Sequence, residues 1–401
     1  MNVLVTHPGR QHSHQAAVAL ERAGMLAGYW AGVPAVAEQA ARAPALLRRR
    51  FRRYAPVPLD PRRVRWFPWT PALRRTGDAL LPPGGAARVD FLACRLFDRW
   101  VAARLPRAGV DAVIACEISA LATFRAARAR GIATILDAPS LHHEAQDRLH
   151  GTTDPAALHR RITRIKDLEI ACADHVLTVS ELARETYLEA GVPAAKVHAV
   201  SLGADLELFA PEREPPAAGH DGFLFLFAGA CLKRKGFDLL LEAFDRVAAA
   251  APQARLRIVG PRGDCADLLE HRARGGIDVA GAVDQRQLAR ELQQADCLVL
   301  PSRNDSYGMV VAEALASGLP VVVSDMVGAK ELIAPEVNGW VVPAGDAAAL
   351  AERMSWCVRH PAAVRGMREQ CRRSAAGATW PGYHRRLAEL MRRLVPQGAA
   401  A

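Results

Sequence analysis

An acidic pair in the last third of the chain has the residue types and spacing to bind a nucleotide. Asp305 and Glu313 are separated by seven residues within the stretch 298–325. Glu313 is placed about 9 Å along the axis from a helix start near Tyr307, at 1.5 Å per residue. A phosphate held at that start would bring an attached ribose to Glu313, whose carboxylate accepts two hydroxyl hydrogen bonds. The alternative is an N-cap Asp and a solvated helix Glu.

The residues around this pair predict a strand, a turn, a helix and a second strand. A short apolar run ends at Leu300, and the helix predicted after it is closed by Gly318 and Pro320. Such a helix begins at the carboxyl edge of a parallel sheet, where its free amides and dipole favour an anion. The amides concerned belong to Gly308, Met309 and Val310.

Three consecutive cations form a second candidate phosphate site. Lys233, Arg234 and Lys235 follow an apolar strand and Gly229, and they precede a helix predicted over 237–250. Lys offers a point charge and Arg a planar fork to a phosphate. A solvated basic turn is the alternative. Because the acidic motif lies in the same α/β half, the cations predict the second wall of one phosphate pocket.

The first turn of the chain carries Gly9 and three histidines. Gly9 permits close approach of a ligand to the backbone, although a simple tight turn explains it equally well. His7, His12 and His14 have no nearby acids or cysteines in the sequence, which favours a polar cleft lining over a metal site.

A histidine pair follows the strand predicted over 132–136. His142 and His143 come after the turn at that strand's carboxyl end, where side chains line the cleft of an open α/β sheet. Because histidine donates or accepts at neutral pH, the position favours a functional role over a structural one.

Together these motifs resemble retaining glycosyltransferase family 4 (glycosyl transferase group 1), which has the GT-B fold. That family has P-S-x-x-E, then F-G, then a helix Glu; here Asp305 replaces the first Glu and Tyr307 the Phe. The resemblance implies that Asp305 meets the donor sugar, that the following amides meet the pyrophosphate and that Glu313 holds the ribose. The shorter Asp leaves the donor sugar open.

Two further matches extend the resemblance. Lys235 and Gly236 match a Lys-Gly of the family, while an Arg that many members carry five residues earlier is Ala230 here. The D-x-P-x-x-H motif implies that His142 contacts the sugar near the reacting carbon. The expected site therefore comprises Asp305 and His142 as catalytic residues, with Lys235, Arg234, Glu313, Gly308, Met309, Val310, Tyr307, Gly229 and Gly9 as donor-binding residues.

The expected architecture is α/β, with two doubly wound Rossmann-like domains facing across a cleft. An N-terminal, acceptor-binding domain is predicted over 1–209 and a C-terminal, nucleotide-sugar-binding domain over 210–379. The segment 210–222, rich in Pro and charge, is the predicted linker. The amphipathic helix over 380–395 is expected to pack back on the first domain, as the resemblance implies.

The composition indicates a protein without membrane-spanning helices, disulfides or a zinc site. Half of the 401 residues are hydrophobic, but no run of eighteen apolar residues predicts a membrane-spanning helix. The opening MNVLVTH predicts a strand without a basic leader, so we expect no secretory signal. The eight cysteines are scattered without a C-x-x-C pair, which favours reduced thiols in a cytoplasmic protein over disulfides or zinc.

The net charge of +10 belongs to one segment. Residues 42–75 hold eleven Arg and one acid, and they also hold five aromatic residues. Aromatic and basic residues together suit an anionic membrane surface, and the protein is expected to be cytoplasmic, with this segment a candidate contact to the inner face of the plasma membrane. A solvated basic loop and a site for an acidic glycan acceptor are the alternatives. No motif for nucleic acid accompanies the charge.

These features predict transfer of a sugar from a UDP- or GDP-linked donor to a hydroxyl of a glycan or lipid-linked acceptor, as in cell-surface polysaccharide or glycolipid biosynthesis. No metal or other cofactor is expected, since cations and amides supply the charge that the leaving pyrophosphate needs. Two alternatives share the pocket. A nucleotide-sugar epimerase would need acid/base groups on both faces of the sugar, and a sugar-nucleotide-binding subunit would lack turnover.

Overall fold

The computed structural model describes residues 1–42, 56–150, 156–210, 222–265, 267–268 and 276–395. Within them the chain forms two parallel sheets, whose inner strands are apolar and almost wholly buried and whose edge strands are partly exposed. Strands covered by helices on both faces favour continuous apolar runs, and FLFLFA over Phe223–Ala228 is an example. The first sheet ends at Ala199 and the second begins at Phe223, on either side of the boundary proposed at 209/210.

The first sheet has the strand order β3-β2-β1-β4-β5-β6-β7, all neighbours parallel. The chain order reverses at β1, the kind of switch point at which α/β sheets bind ligands. Its strands are β1 (Val3–His7), β2 (Leu26–Ala31), β3 (Val64–Trp66), β4 (Ala112–Cys116), β5 (Ala133–Ala138), β6 (His175–Thr178) and β7 (Val197–Ala199).

The helices of the first domain are α1 (Ser13–Arg22), α2 (Ala37–Arg42), α3 (Trp69–Leu80), α4 (Pro83–Arg104), α5 (Leu121–Arg128), α6 (His143–His150), α7 (Ala157–Cys172) and α8 (Glu181–Glu189). Helix α4 begins at Pro83, since proline suits the first turn of a helix. The buried Glu169 of α7 accepts the amides of Ile118, Ala120 and Leu121 and so caps the entry to α5.

The second sheet has the order β10-β9-β8-β11-β12-β13 and is also parallel. Its strands are β8 (Phe223–Ala228), β9 (Ala254–Val259), β10 (Ile277–Gly281), β11 (Cys297–Leu300), β12 (Val321–Ser324) and β13 (Gly339–Val342). The helices that follow in the chain are α9 (Phe237–Ala250), α10 (Gln285–Gln294), α11 (Met309–Ala316), α12 (Ala347–Arg359), α13 (Pro361–Gly366), α14 (Arg368–Ala375) and α15 (Trp380–Leu394).

The C-terminal helix α15 packs against α1 of the first domain. His384 of α15 hydrogen-bonds Gln15 at 2.9 Å, and Arg22 bonds the other ring nitrogen of His384 at 3.2 Å. A second connection joins the domains nearer the cleft, where the Ser180 hydroxyl donates to the carbonyl of Ser306 at 2.5 Å. The two carboxyl edges of the sheets are thereby held opposite each other.

All eight cysteines are free thiols, and seven of them are buried. Among the described residues, no helix combines the length and the apolar character that crossing a membrane requires. Of the predicted linker, residues 211–221 lie outside the described part, as do residues 43–55 of the Arg-rich segment.

Candidate active site

A cleft of about 1490 Å³ lies between the two sheets. Residues that directly follow strand ends form much of its wall, since the carboxyl ends of parallel strands meet at one edge of each sheet. The first domain contributes Arg10, His12, His14, Glu117, Pro139 and Ser140, and the second domain contributes Lys235, Asp305, Ser306, Tyr307, Gly308, Met309, Val310 and Glu313.

Lys235 and Asp305 meet in this cleft as an ion pair. The Lys235 ammonium donates to the Asp305 carboxylate, and the two side chains are only 16% and 12% exposed. Gly236 makes the pairing possible: its φ of 66° is left-handed, and a Cβ there would lie 1.9 Å from the carbonyl oxygen of Pro301. Only glycine therefore lets the basic turn dock on the end of β11, beside Asp305.

Helix α11 presents its first amides to the cleft. It begins at Met309, two residues later than predicted, because Gly308 adopts a left-handed φ of 83° as the N-cap. A Cβ at Gly308 would lie 2.7 Å from Val327, so a side chain is excluded. The amides of Gly308, Met309 and Val310 precede the first amide with an internal acceptor, that of Val311, and their residues line the cleft. This is an anion-binding geometry.

Tyr307 is among the residues that line the cleft, but its hydroxyl is bonded to the first domain. The hydroxyl donates to the carbonyl of Leu202 at 2.7 Å, and the residue is 3% exposed. Burial raises the pKa of this phenol well above its ordinary value. Tyr307 therefore ties the start of α11 to the end of the first domain.

Glu313 is a buried carboxylate that faces the cleft. The residue is 6% exposed, and burial raises its pKa to about 7. Among the described residues, hydrogen bonds from Ser317 reach only the carbonyl of Glu313, and none is found to its carboxylate. A buried carboxylate without a protein partner costs free energy, so its position favours binding of a ligand with hydroxyl groups.

Three residues predicted to bind the donor lie outside the cleft lining. Arg234 is exposed, and its carbonyl accepts the amides of Arg303 and Asn304, so the turn directs Lys235 alone inward. The Gly229 amide donates to Val259, and its neighbour Ala228 lines the cleft in its place.

Gly9 is the third of these residues. Its amide turns inward and donates to His7 Nδ1 at 2.8 Å, which stabilises the turn after β1. The neighbouring Arg10 and Gln11 line the cleft. The structure thus favours the tight-turn interpretation of Gly9.

His142, predicted to contact the sugar, is also absent from the cleft lining. Its amide donates to Thr186 Oγ1 at 2.9 Å, and its ring packs edge-on against Tyr187. The chain turns away after Ser140, so Pro139 and Ser140 line the cleft instead. Burial, with added repulsion from the charge of His143, lowers the pKa of His142 to about 4.

His142, His143 and Asp167 form a cluster whose potential metal-binding atoms lie within 4.8 Å of one another. His143 Nε2 contacts an Asp167 carboxylate oxygen at 2.6 Å. These residue types fit a transition metal, and the cluster lies beside the cleft rather than in its lining.

Beside the cleft, the first domain contains an imidazole–carboxylate pair that sequence patterns did not reveal. His12 Nε2 contacts Asp137 Oδ1 at 3.0 Å, with both side chains about one-tenth exposed. Burial opposes the imidazolium, but the charge and hydrogen bond of Asp137 leave the pKa of His12 above 6.5. Burial likewise opposes the Asp137 carboxylate, yet the charge and hydrogen bond of His12 leave its pKa below 3.8.

A second pair lies next to it. Lys166 contacts Glu117 at 2.9 Å, and the hydroxyl of Ser140 donates to the same carboxylate. These pairs could have been predicted from the strand order. Because β1 and β5 both flank β4, the residues that follow these three strands lie close together. His12 and His14 line the cleft as predicted, whereas His7 is buried.

The comparisons with known proteins agree with this architecture. Residues 209–377 match the family model described as Glycosyl transferases group 1. A D-inositol 3-phosphate glycosyltransferase of Catenulispora acidiphila is 30% identical over 248 residues, which cover 57% of this chain and 59% of that protein. The chain spans between 38% and 59% of the length of the curated relatives it matches.

Solved structures cover nearly the whole chain. Sucrose-phosphate synthase of Thermosynechococcus elongatus superposes with a TM-score of 0.73 at 21% identity, over 98% of this chain and 99% of that one. Anabaena HepE in complex with UDP gives 0.68 at 16% identity, with the same coverage. The fold is therefore GT-B, as the sequence predicted, and the resemblance to glycosyl transferase group 1 is confirmed over the second domain.

Proposed function

We propose that this chain, whose residues 209–377 form a glycosyl transferase group 1 domain, moves a sugar from a nucleotide diphosphate sugar to an acceptor hydroxyl. The observation that carries the proposal is Glu313, a buried carboxylate facing the cleft on the helix whose first amides are free. One ligand satisfies both features, because a nucleotide has phosphates for the amides and ribose hydroxyls for the carboxylate. UDP and GDP are the proposed nucleotides.

The same wall suits departure of the nucleotide. As the bond to the sugar breaks, negative charge develops on the pyrophosphate and needs fixed cations and dipoles. The amides of Gly308, Met309 and Val310 lie at the cleft, and Lys235 adds a full charge beside them. We infer that these groups act without a bound metal.

In the proposed donor site, Lys235 and Asp305 are paired with each other before the donor binds. An arriving pyrophosphate competes for the Lys235 ammonium, which leaves the Asp305 carboxylate to accept hydrogen bonds from the sugar. The proposed reaction retains configuration by attack on the same face, with the leaving phosphate oxygen taking the proton of the acceptor hydroxyl. The bond between the sugar carbon and the nucleotide breaks as the new glycosidic bond forms, so the reaction needs no further reactant.

The acceptor is proposed to bind against the first domain, beside His12 and Glu117. Both are held in ion pairs that leave them rigid and polar, which suits hydroxyl recognition. The name of the Catenulispora relative specifies an inositol phosphate acceptor, and a glycan or lipid-linked acceptor in surface polysaccharide or glycolipid synthesis is proposed here.

Hydrolysis of UDP- and GDP-sugars without acceptor tests this function. A glycosyltransferase should release the nucleotide slowly from one donor, and Glu313→Ala and Lys235→Ala should abolish the release while the melting temperature stays close to that of the original chain. An epimerase would instead yield an isomeric nucleotide sugar, and a binding subunit would bind the donor without turnover. Either of the last two results, or no binding of any nucleotide, would overturn the proposal.

We also propose that the first domain contacts an anionic membrane on its cytoplasmic side. Trp69 and Leu80 are 62% and 75% exposed, and eleven positions at 3.6 residues per turn place them on one face of α3. Leu81, next to Leu80, and Leu92 of helix α4 are also exposed, at 44% and 50%. Exposed aromatic and aliphatic side chains beside an Arg-rich segment suit the boundary of a bilayer.

Cosedimentation with phosphatidylglycerol vesicles tests the membrane contact. Trp69→Ser with Leu80→Ser should reduce the bound fraction, whereas Val337→Ser, an exposed apolar residue of the second domain, should not. Binding should also fall as salt rises. It should fall again when five Arg outside the described residues become Ser, namely Arg48, Arg49, Arg50, Arg52 and Arg53. Equal recovery of the Trp69/Leu80 and Val337 variants would refute the contact.

A further inference from the structure

A second cavity of about 700 Å³ lies on the first domain, away from the interdomain cleft. It is bounded by the edge strand β7, by Arg184 of α8 and by the last two turns of α15. None of the residues that line it lines the interdomain cleft. We call it the arginine cavity, after Arg184, Arg386, Arg392 and Arg393.

Positively charged side chains predominate in the lining of this cavity. Four Arg line it, and Glu389 is the acid among the lining residues. Arg184 Nε donates to the Val197 carbonyl at 3.0 Å, and Arg386 Nη2 donates to the Ser201 carbonyl at 2.7 Å. Carbonyl oxygens orient these guanidinium groups without neutralising them, although the exposed Glu181 also reaches Arg184 at 3.3 Å.

Arg392 and Arg393 complete the cationic wall from the last turn of α15. Both are exposed, and no ion pair to either is found among the described residues. The helix dipole accounts for two cations at the C-terminal end of a helix. It does not account for Arg184, which reaches the same cavity from another helix, or for Arg386, which lies almost two turns earlier on α15.

We propose that the arginine cavity binds a phosphate-bearing ligand. Guanidinium forks match phosphate oxygens in geometry as well as charge, and several of them converge here. The volume suits a ligand of the size of a sugar phosphate, within the usual range of small-molecule pockets. A soluble phosphate ester and the headgroup of an anionic phospholipid share this chemistry, and the two arms of the experiment separate them.

The first arm measures binding of inositol hexakisphosphate to the full chain by calorimetry. Arg392→Gln with Arg393→Gln should weaken binding by about tenfold or more, since two charge-assisted hydrogen bonds are lost. The matched control is Arg128→Gln with Arg130→Gln, which removes the same charge from exposed residues at the C-terminal end of α5. Arg386 is avoided because it also holds the segment leading to Leu202.

In the same experiment, Lys235→Ala shows whether the probe binds in the arginine cavity or in the interdomain cleft. Loss of binding in the Arg392/Arg393 variant, but not in Lys235→Ala or the control, places the probe in the arginine cavity. Loss in Lys235→Ala without loss in the Arg392/Arg393 variant places it in the interdomain cleft and overturns the proposal. Melting temperatures within a few degrees of the original chain establish that the variants are folded.

The second arm repeats the comparison with phosphatidylglycerol vesicles. If the soluble probe does not bind, but vesicle binding falls in the Arg392/Arg393 variant and not in the control, the ligand is a lipid headgroup. If the soluble probe does not bind and the two variants recover equally on vesicles, the cavity is a solvated basic surface. Equal losses in both variants mean that net charge alone attracts the probe, which also overturns the proposal.

Discussion

Replacing Glu313 with Gln should make the unliganded protein more stable and nucleotide binding weaker. Burial raises the pKa of the Glu313 carboxyl from 4.5 to about 7. At about 1.4 kcal/mol per pKa unit, ionising this carboxyl in the folded state costs about 3 kcal/mol relative to the unfolded chain. Gln has nearly the same shape without the charge, so Glu313→Gln should recover up to about 3 kcal/mol of unfolding free energy at pH 8.

The pH dependence fixes the sign of this effect. Because the folded pKa lies above the unfolded value, the folded state binds more protons between pH 4.5 and 7. The raised pKa of Glu313 therefore stabilises the folded state fully below pH 4.5, where the carboxyl is protonated, and this stabilisation is lost as pH rises through 7. The advantage of Glu313→Gln should accordingly be small near pH 4.5 and greatest above pH 7.

Nucleotide binding should change in the opposite direction. Two ribose hydroxyls that donate to an ionised carboxylate are worth about 1.5 kcal/mol each, so their loss should weaken binding by about 100-fold. Those bonds favour the charged form, so binding near pH 7 should also release protons. Calorimetry with UDP and GDP in two buffers of different ionisation enthalpy measures both quantities.

Glu352→Gln, an exposed position of α12, serves as the control for loss of one carboxylate from the same domain. It should change neither stability nor affinity appreciably. If Glu313→Gln bound UDP or GDP as tightly as the original chain, Glu313 would not hold the ribose. If it destabilised the protein at pH 8, the carboxylate would have a protein partner, and the physical basis of the prediction would be wrong.

Two further predictions concern the ion pairs of the cleft. Asp305→Ala should lower kcat strongly but leave UDP or GDP affinity nearly intact, because we propose that Asp305 meets the sugar and Lys235 the phosphates; wild-type kcat with the true donor would refute this. His12 and Asp137 should stabilise the fold most between about pH 4 and 6.5: the Asp137 contribution is lost as pH falls through its lowered pKa, and the His12 contribution as pH rises through its raised pKa. Urea unfolding from pH 3 to 9 should show this maximum flatten in Asp137→Asn, and an unchanged profile would exclude the pair as its source.

The strands and the C-terminal helix were predictable because local patterns determine them. The run FLFLFA over Phe223–Ala228 is apolar throughout, as a strand covered on both faces must be. Helix α15 begins at Trp380, as its amphipathic pattern predicted, and ends at Leu394, one residue before the predicted end. The start of α11 was wrong by two residues, because the left-handed backbone of Gly308 depends on contact with Val327, which is distant in sequence.

Side-chain orientation was harder to predict than position along the chain. Arg234 and Lys235 are adjacent and share a charge, yet only Lys235 enters the cleft. The difference arises from the short turn that ends at Gly236. Gly236 packs against the carbonyl of Pro301, which lies 65 residues later in the sequence. His142 shows the same effect: β5 ends at Ala138, two residues beyond the predicted end, and the turn after it directs Ser140 into the cleft and His142 against Tyr187.

The residues that the sequence did not reveal are those paired across the sheet. His12 and Asp137 are 125 positions apart, and the D-x-P-x-x-H motif that contains Asp137 does not include His12. Their meeting follows from topology, because β4 lies between β1 and β5, and the residues after all three strands share one edge. Both this pair and Glu117 follow from the strand order, once the polar residues near the ends of neighbouring strands are grouped. Motif spacing instead finds residues on one helix, which explains why the cleft wall of the second domain was predicted in more detail than that of the first.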